Sequence, residues 1–353
     1  MTEARFRADV IRPSQLDAEA IKTWHRMQVA SPSLQRAFFT PAFALASERA
    51  TGRAFVAVLH AGAAIQAFLP FQFRTAWHQR IRLAERIGGN LSDNAGIIAW
   101  PDFKTDAASL LRLCGLASLN LSHIMDGQDR FGLDAEWSEV SCVTDLSSGP
   151  NVYFAGLLAR NRDFFRDTER RQRKALKAYG AVALRDTDPI TTEALAGVVA
   201  VKRQQYQRTQ VSDVLEVPEN LRLIEVLKDS PTTECKLVLA TLEAGDRVLA
   251  QHLGLQYNGV LSWWFPAYDS SAGGISPGRL LLWHIIEHAA DSGVGLIDYG
   301  AGDAQYKRQF STGTVRMGRA LWSAENARAL LARVWQSVEW RLARPRKLNA
   351  EQS

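Results

Sequence analysis

A carboxylate, a phenol and an amine stand close together near the end of the chain. Asp298 closes an apolar run, and Tyr306 and Lys307 follow within ten residues. Gathered at one strand–turn–helix corner, such groups could take and return protons. The same spacing also fits a corner tied by an Asp298–Lys307 pair. Gly300-Ala301-Gly302 lies between them, but Gln305 stands where a dinucleotide fingerprint needs its third glycine, which argues against that cofactor. Upstream, Gly274-Ile275-Ser276-Pro277-Gly278 has the form of a serine nucleophile elbow. The chemistry fails, because the residue after the serine must donate its N–H to an oxyanion and Pro277 has none. No histidine follows His288 to complete a triad.

Those five residues also read as a helix start, with Ser276 as N-cap and Pro277 in the first turn. Gly274 and Gly278 let a ligand approach the backbone, and Arg279 adds a fixed charge. Free N–H groups at the positive end of a helix dipole suit a pyrophosphate. A helix that is only well capped would look the same. His284, Glu287 and His288 match an inverted zinc-protease pattern, but they lie opposite the stripe Leu281, Leu282, Ile285, Ile286 and Ala289. A solvated polar face is the expectation, with no metal. Arg162, Arg166, Arg170 and Lys174 recur every four residues and form one stripe on a helix. The stripe would suit a phosphate-bearing partner or plain solvent. RNA would call for exposed aromatics among the charges, and Phe164 and Phe165 are expected to anchor the helix instead.

The elements that must position these groups belong to an ordinary globular chain of 353 residues, 46% hydrophobic and 22% charged. Its net charge of +5 is concentrated in residues 160–177 and 327–353, so the remainder is net acidic. DNA binding is not expected from so local a basicity. Cys114, Cys142 and Cys235 are too few and too scattered for a disulfide framework or a zinc site, which points to a reducing cytoplasm. The N-terminus lacks the apolar core of a signal peptide, and the most apolar window, 55–73, alternates like strands.

Strands are expected near 7–12, 54–60, 64–73, 118–124 and 139–146, with helices near 17–29, 41–50 and 105–114. Ser147-Ser148-Gly149-Pro150 reads as a linker. Beyond it a helical stretch over 151–179 ends at Gly180, and helices follow near 192–208 and 219–228. Strands at 236–242, 248–257 and 260–268 precede a helix over 277–291, a strand at 295–299, a short helix near 303–310 and a strand at 315–323. Residues 324–343 read as helical. Residues 59–67 and 242–250 share four identities in nine positions around a turn. That echo favours two copies of one α/β unit.

The ordered set Leu249-Ala-Gln-His252, Trp263-Trp-Phe-Pro-Ala-Tyr268-Asp269, Ser276-Pro-Gly278, Asp298-Tyr-Gly-Ala-Gly302 and Tyr306-Lys307 resembles the CelD/BcsL-like acyltransferases. These belong to the GNAT (Gcn5-related N-acetyltransferase) superfamily and are related to the FemAB enzymes. Phe38-Phe39-Thr-Pro41, Leu69-Pro70 and Ser92-Asp93-Asn94 extend the likeness over about residues 38–322.

The resemblance implies an α/β fold of two tandem GNAT-like units with mixed central sheets and a C-terminal helix. The units would span 1–148 and 149–323, ahead of a basic tail at 324–353. It implies acetyl-CoA as cosubstrate, held at Gly274, Ser276, Gly278 and Arg279. The reaction would be N-acetylation of a sugar amine, or acylation of a hydroxyl, in exopolysaccharide, envelope or holdfast synthesis. Asp298 and His252 are the candidate bases. Tyr306 would protonate the leaving thiolate, and Lys307 would pair with Asp298 or with a phosphate. Arg162, Arg166, Arg170, Lys174, Tyr268 and Asp269 are the candidate contacts to a nucleotide- or lipid-linked sugar.

Two other readings stay open. One is a FemAB-type transfer from aminoacyl-tRNA, although no long charged helical hairpin is present. The other is a non-catalytic effector whose tail, with Arg341, Arg344, Arg346 and Lys347, binds a cyclic dinucleotide or rests on a membrane.

Overall fold

The computed structural model describes residues 6–324 and Trp335. The first half of the chain runs β1 (Phe6–Ile11), α1 (Ala18–Val29), α2 (Pro41–Thr51), β2 (Ala54–Ala61), β3 (Ala64–Gln72) and α3 (Ala76–Ile81). It continues with β4 (Leu83–Arg86), β5 (Ile98–Ala99), α4 (Ala107–Cys114), β6 (Ser118–Met125) and β7 (Glu136–Asp145). The second half opens with α5 (Pro150–Arg160), α6 (Arg162–Tyr179), β8 (Val182–Asp186), α7 (Thr192–Thr209) and α8 (Pro218–Asp229). Then come β9 (Lys236–Ala244), β10 (Arg247–Tyr257), β11 (Val260–Tyr268), α9 (Pro277–Glu287), β12 (Leu296–Ala301), α10 (Gln305–Phe310) and β13 (Gly313–Ser323).

One continuous mixed sheet carries both halves, in the order β1-β2-β3-β4-β6-β13-β7-β12-β11-β10-β9-β8, with β5 beside β3. Read inward from either edge, the order is the same motif twice. An antiparallel run of four strands, β1 to β4 or β8 to β11, ends on a parallel partner, β6 or β12. The last strand of each half has crossed over: β7 lies against β12, β13 lies against β6, and the two pair with each other. The sequence echo falls on equivalent hairpins, β2–β3 and β9–β10.

Period-two alternation divides the core between the faces of the sheet. On β2, Val56 and Val58 join Trp24, Phe38, Phe43, Leu223 and Trp264 under α1, α2, α7 and α8, while Ala57 and Leu59 face Leu110 and Phe131 with α4. In the second half α5, α6 and α9 cover a core of Tyr153, Phe164, Leu281, Trp263, Tyr299 and Phe310. Among the described residues no helix is long and apolar enough to cross a membrane.

Three differences from the sequence reading have physical reasons. The stretch 151–179 is two helices, because Asn161 leaves helical geometry (φ −149°) and its side chain accepts the Phe164 N–H to start a new one. Helix α9 ends at Glu287, short of the expected 291, with His288 as its C-cap. Strands β4 and β8 went unforeseen. Leu83-Ala-Glu-Arg has good helix formers and is held extended by its parallel partner β6, while β8 is an edge strand fixed only by β9. The Arg341, Arg344, Arg346 and Lys347 cluster, and the tail helix apart from Trp335, lie outside the described residues; Trp335 is helical and stands edge-on to Trp77, centroids 5.7 Å apart.

Because β13 from the second half lies beside β6 of the first, the halves are expected to unfold together. Met317 of β13 is fully buried, and Met317→Ala should cost about 2–5 kcal/mol in one cooperative urea transition. Two separate transitions, seen by circular dichroism and tryptophan fluorescence, would contradict the exchange.

Candidate active site

β11 and β12 are parallel and paired over only three positions, Val260–Leu296, Leu261–Ile297 and Ser262–Asp298, after which they part. At the same level β11 carries one extra residue against β10, since Leu253 faces Phe265 while Leu255 faces Ser262. This bulge bends the strand away from its neighbour. His252 holds it: its Nε2 accepts the Trp264 N–H at 3.2 Å, and its ring stacks on Trp263 at 4.1 Å. Burial, with Lys202 nearby, pushes the His252 imidazole down to about 3. The ring is therefore neutral and its basic lone pair is already engaged.

The two indoles at the bulge face opposite sides of the sheet. Trp263 packs in the core under α9, beside Tyr299, and Tyr306 on α10 comes against it. Burial pushes the Tyr306 phenol up, and the Trp263 indole draws it partly back. Trp264 faces the other core, where its Nε1–H donates to the Leu91 carbonyl at 2.8 Å.

Asp298 forms the wall opposite. It is buried, accepts from Arg36 Nε at 2.7 Å and from the Gly300 N–H at 3.0 Å, and also accepts the Ser141 hydroxyl. Lys307 does not pair with it: its ammonium donates to the carbonyls of Tyr299 at 2.7 Å and Ala301 at 3.0 Å. The corner is thus tied by Lys307 to β12 backbone, and Asp298 is tied to the first half. Gly300 has φ 67°, and a Cβ there would stand 3.0 Å from Asp93 Oδ2. The Asp93 carboxyl is pushed up to about 7, chiefly by burial and then by the Asp298 charge, against the pull of Arg86 and Lys307.

The turn before α9 joins two features that the sequence kept apart. Ser276 sits in the left-handed region (φ 54°) and makes no side-chain cap; its hydroxyl accepts from Arg171 at 2.8 Å. Lys174 donates to the Gly274 carbonyl at 3.2 Å, and Arg279 reaches Asp167 at 2.6 Å with its guanidinium over Phe164. Asp167 also binds Arg170 and Arg171, and the three guanidinium groups hold its carboxyl well below the usual range. The N–H groups of Arg279 and Leu280 turn back to the Ser276 carbonyl and Pro277 has none, so Gly278 is the first-turn donor that faces out.

Tyr268 lies against Gly278, with Arg208 over its ring at 5.3 Å. Asp269 is occupied, capping the Ser271 N–H and pairing with Arg247 at 2.6 Å. Of the stripe only Lys174 reaches the turn; Arg162, Arg166 and Arg170 stay exposed on α6. Arg171 and Asp167 are not among the contacts expected from the sequence, although their four-residue spacing on a helix next to the stripe is a usable signal. His284 pairs with Glu287 at 2.8 Å and His288 with Asp291 at 3.5 Å, and no cluster able to hold a metal occurs among the described residues.

Residues 163–308 match the family model described as an acetyltransferase (GNAT) domain. The segment contains the turn before α9, the bulge, the split and the first part of α10. No curated protein matches the sequence. The fold is similar to the crystal structure of FemX, with TM-score 0.59 and 9% identity over 94% of this chain and 100% of that one. It is also similar to the C-terminal domain of a candidate lysylphosphatidylglycerol synthetase from Agrobacterium fabrum, with TM-score 0.53 and 12% identity over 91% and 96% of the two chains. A conserved protein of unknown function from Bacteroides thetaiotaomicron VPI-5482 gives TM-score 0.53 and 9% identity, over 87% and 98%. The chain thus carries a GNAT-type acetyltransferase domain over residues 163–308, set in a mixed α/β fold in which one strand motif occurs twice.

Arg36→Ala would leave Asp298 buried and unpaired and should cost about 3–5 kcal/mol in urea unfolding, part of it restored by adding Asp298→Asn. No loss in Arg36→Ala, or no recovery on adding Asp298→Asn, would contradict this account of the pair. A second expectation concerns acid. His252, pushed to about 3, and His123, pushed to about 4, favour the neutral form when folded. Their contribution is complete above the unfolded value of 6.5 and is lost as pH falls from there. His252→Gln should flatten that decline in a melting-temperature series, and an unchanged slope would count against a neutral His252.

Proposed function

We propose that the chain transfers an acyl group, acetyl in the first instance, from CoA to an amine of a sugar, or to a hydroxyl. The observation that carries this is the continuity of the phosphate turn with the parted strands. Among the described residues the β12-facing edge of β11 beyond Ser262 lacks a strand partner, and that edge leads to Gly278 and the Arg171–Lys174 pair. Pantetheine is an extended chain with two amides, so it can pair with such an edge as a strand would. Its pyrophosphate then falls at the helix N-terminus beside two cations. The thioester comes to the bulge, where a strand-edge N–H can meet the oxyanion.

Tyr306 stands on the Trp263 side of the split, placed to protonate a thiolate whose free pKa is roughly 8.5. His252 acts through the bulge rather than on the substrate. For the acceptor, a groove of about 500 Å³ between α7 and β10, edged by Gln204, Gln251, Arg208 and Tyr268, offers amides and a cation to a nucleotide- or lipid-linked sugar. Work on exopolysaccharide or another envelope polysaccharide, at the cytoplasmic face of a membrane that the exposed Arg162, Arg166 and Arg170 touch, fits this chemistry. Three buried free thiols suit the reducing cytoplasm.

The exposed arginine row beside the turn also favours a second reading, in which aminoacyl-tRNA is the donor. Acetyl-CoA should raise the melting temperature, by about 2.7 kcal/mol of stabilisation at a hundredfold excess over Kd. Arg171→Ala with Lys174→Ala should weaken acetyl-CoA at least tenfold by calorimetry, each charge-assisted bond being worth about 1.5–3 kcal/mol. Stabilisation by tRNA and none by acetyl-CoA would favour the second reading.

A further inference from the structure

Both bases expected from the sequence are otherwise engaged. His252 gives its lone pair to the Trp264 N–H, and Asp298 is surrounded by Arg36, Ser141 and the Gly300 N–H. An incoming ammonium must nevertheless lose a proton before its nitrogen can attack a thioester.

The loop from Gly88 to Asn94, which belongs to the first half, lies across the parted strands of the second. It touches one wall where Leu91 accepts the Trp264 indole N–H at 2.8 Å. It touches the other where Asp93 Oδ2 stands 3.0 Å from the Cβ position of Gly300. Glycine is needed there, both for its φ of 67° and because any side chain would strike the carboxylate. The loop is held by its own bonds: Gln72 accepts the Gly88 N–H, the Ser92 hydroxyl donates to the Asn94 carbonyl, and Ala95 bonds to β6 at His123. Asp93 thus reaches the split on the Trp264 side, opposite the Trp263 side where Tyr306 stands.

We propose that Asp93, supplied by the first unit, is the general base of the second unit's acyl transfer. It would accept one proton from the acceptor ammonium. The freed nitrogen lone pair forms the new C–N bond, the C–S bond breaks, and Tyr306 gives its proton to the departing thiolate from the other face. The second proton of the new amide nitrogen passes through solvent to the Tyr306 phenolate, and Asp93 releases its proton to solvent. The groups around Asp93 are Asp298 on β12, Arg86 on β4, Lys307 on α10, Tyr206 on α7 and, through the Ser92 carbonyl, His123 on β6. Asp298 disfavours a second negative charge beside it, while Arg86 and Lys307 keep the ionised form within reach. Burial, and then the Asp298 charge, raises the carboxyl to about 7, which matches it to an acceptor near neutral pH. The signs give a rate that rises with pH through about 7 and levels above it.

This inference rests on the acyl-CoA reading, and the test separates the two. Wild type, Asp93→Asn and Asp93→Glu are compared for CoA binding by calorimetry and for acetyl-CoA turnover with glucosamine and UDP-glucosamine. Acetyl-CoA hydrolysis serves as the readout in which water stands for the amine. Asp93→Asn should bind CoA within about twofold of wild type and lose about a hundredfold or more in kcat, with the inflection near pH 7 gone. Asp93→Glu should recover part of the rate with a displaced inflection. CoA binding preserved with kcat within threefold of wild type in Asp93→Asn would overturn the role of Asp93 alone. No CoA binding by the wild type would overturn the acyl-CoA reading and this inference together.

Discussion

Two parallel strands that pair for three residues and then separate are an unusual thing for a sheet to keep, because each leaves backbone donors and acceptors without partners. In this chain the separation is built in. The extra residue in β11 turns the strand aside, and the buried, neutral His252 satisfies the N–H that the bulge displaces. On the other side Lys307 satisfies the carbonyls at the end of β12. What stays open between them is a slot lined by backbone groups, with a helix N-terminus and two cations at one end. The proposed donor, a flexible thioester with amides along its length and phosphates at its tail, matches that shape and charge.

The slot also explains why the two halves cannot be considered apart. Strands β7 and β13 change sides, and Arg36 of the first half neutralises Asp298 in the wall of the second. A buried ion pair contributes little net stability compared with an apolar pair, but losing one partner is costly. The arrangement therefore fixes register between the halves more than it strengthens either. It also brings the Gly88–Asn94 loop across the slot. In the proposed mechanism the first unit thereby becomes part of the site.

Much of this was legible in the sequence and some was not. The strands with alternating apolar residues, the helices near 17–29, 41–50 and 192–208, and the paired hairpins are legible because their signals are local. Asp298, Tyr306 and the Gly274–Gly278 turn stand out by residue type alone. Their partners did not stand out. Arg36 meets Asp298 across 262 positions and Arg171 meets Ser276 across 105, and nothing local marks either pairing. Asp93 looked like part of a polar turn. Its distinction comes from burial and from the neighbouring Asp298, which only the strand exchange brings about. Lys307 was misjudged for the opposite reason: sequence proximity to Asp298 suggested an ion pair, while the nearer β12 carbonyls took its three donors.

The central claim is that an acyl-CoA lies along the free edge of β11 with its pyrophosphate at the start of α9. Amide hydrogen exchange with and without CoA reads this directly, because an added edge partner slows exchange at the N–H groups it covers. Protection of amides within residues 263–267 and at Gly278, with little change across β1 to β3, is the predicted result. Protection confined to another surface, leaving the β11 edge and Gly278 exchanging as in the free protein, would contradict the account.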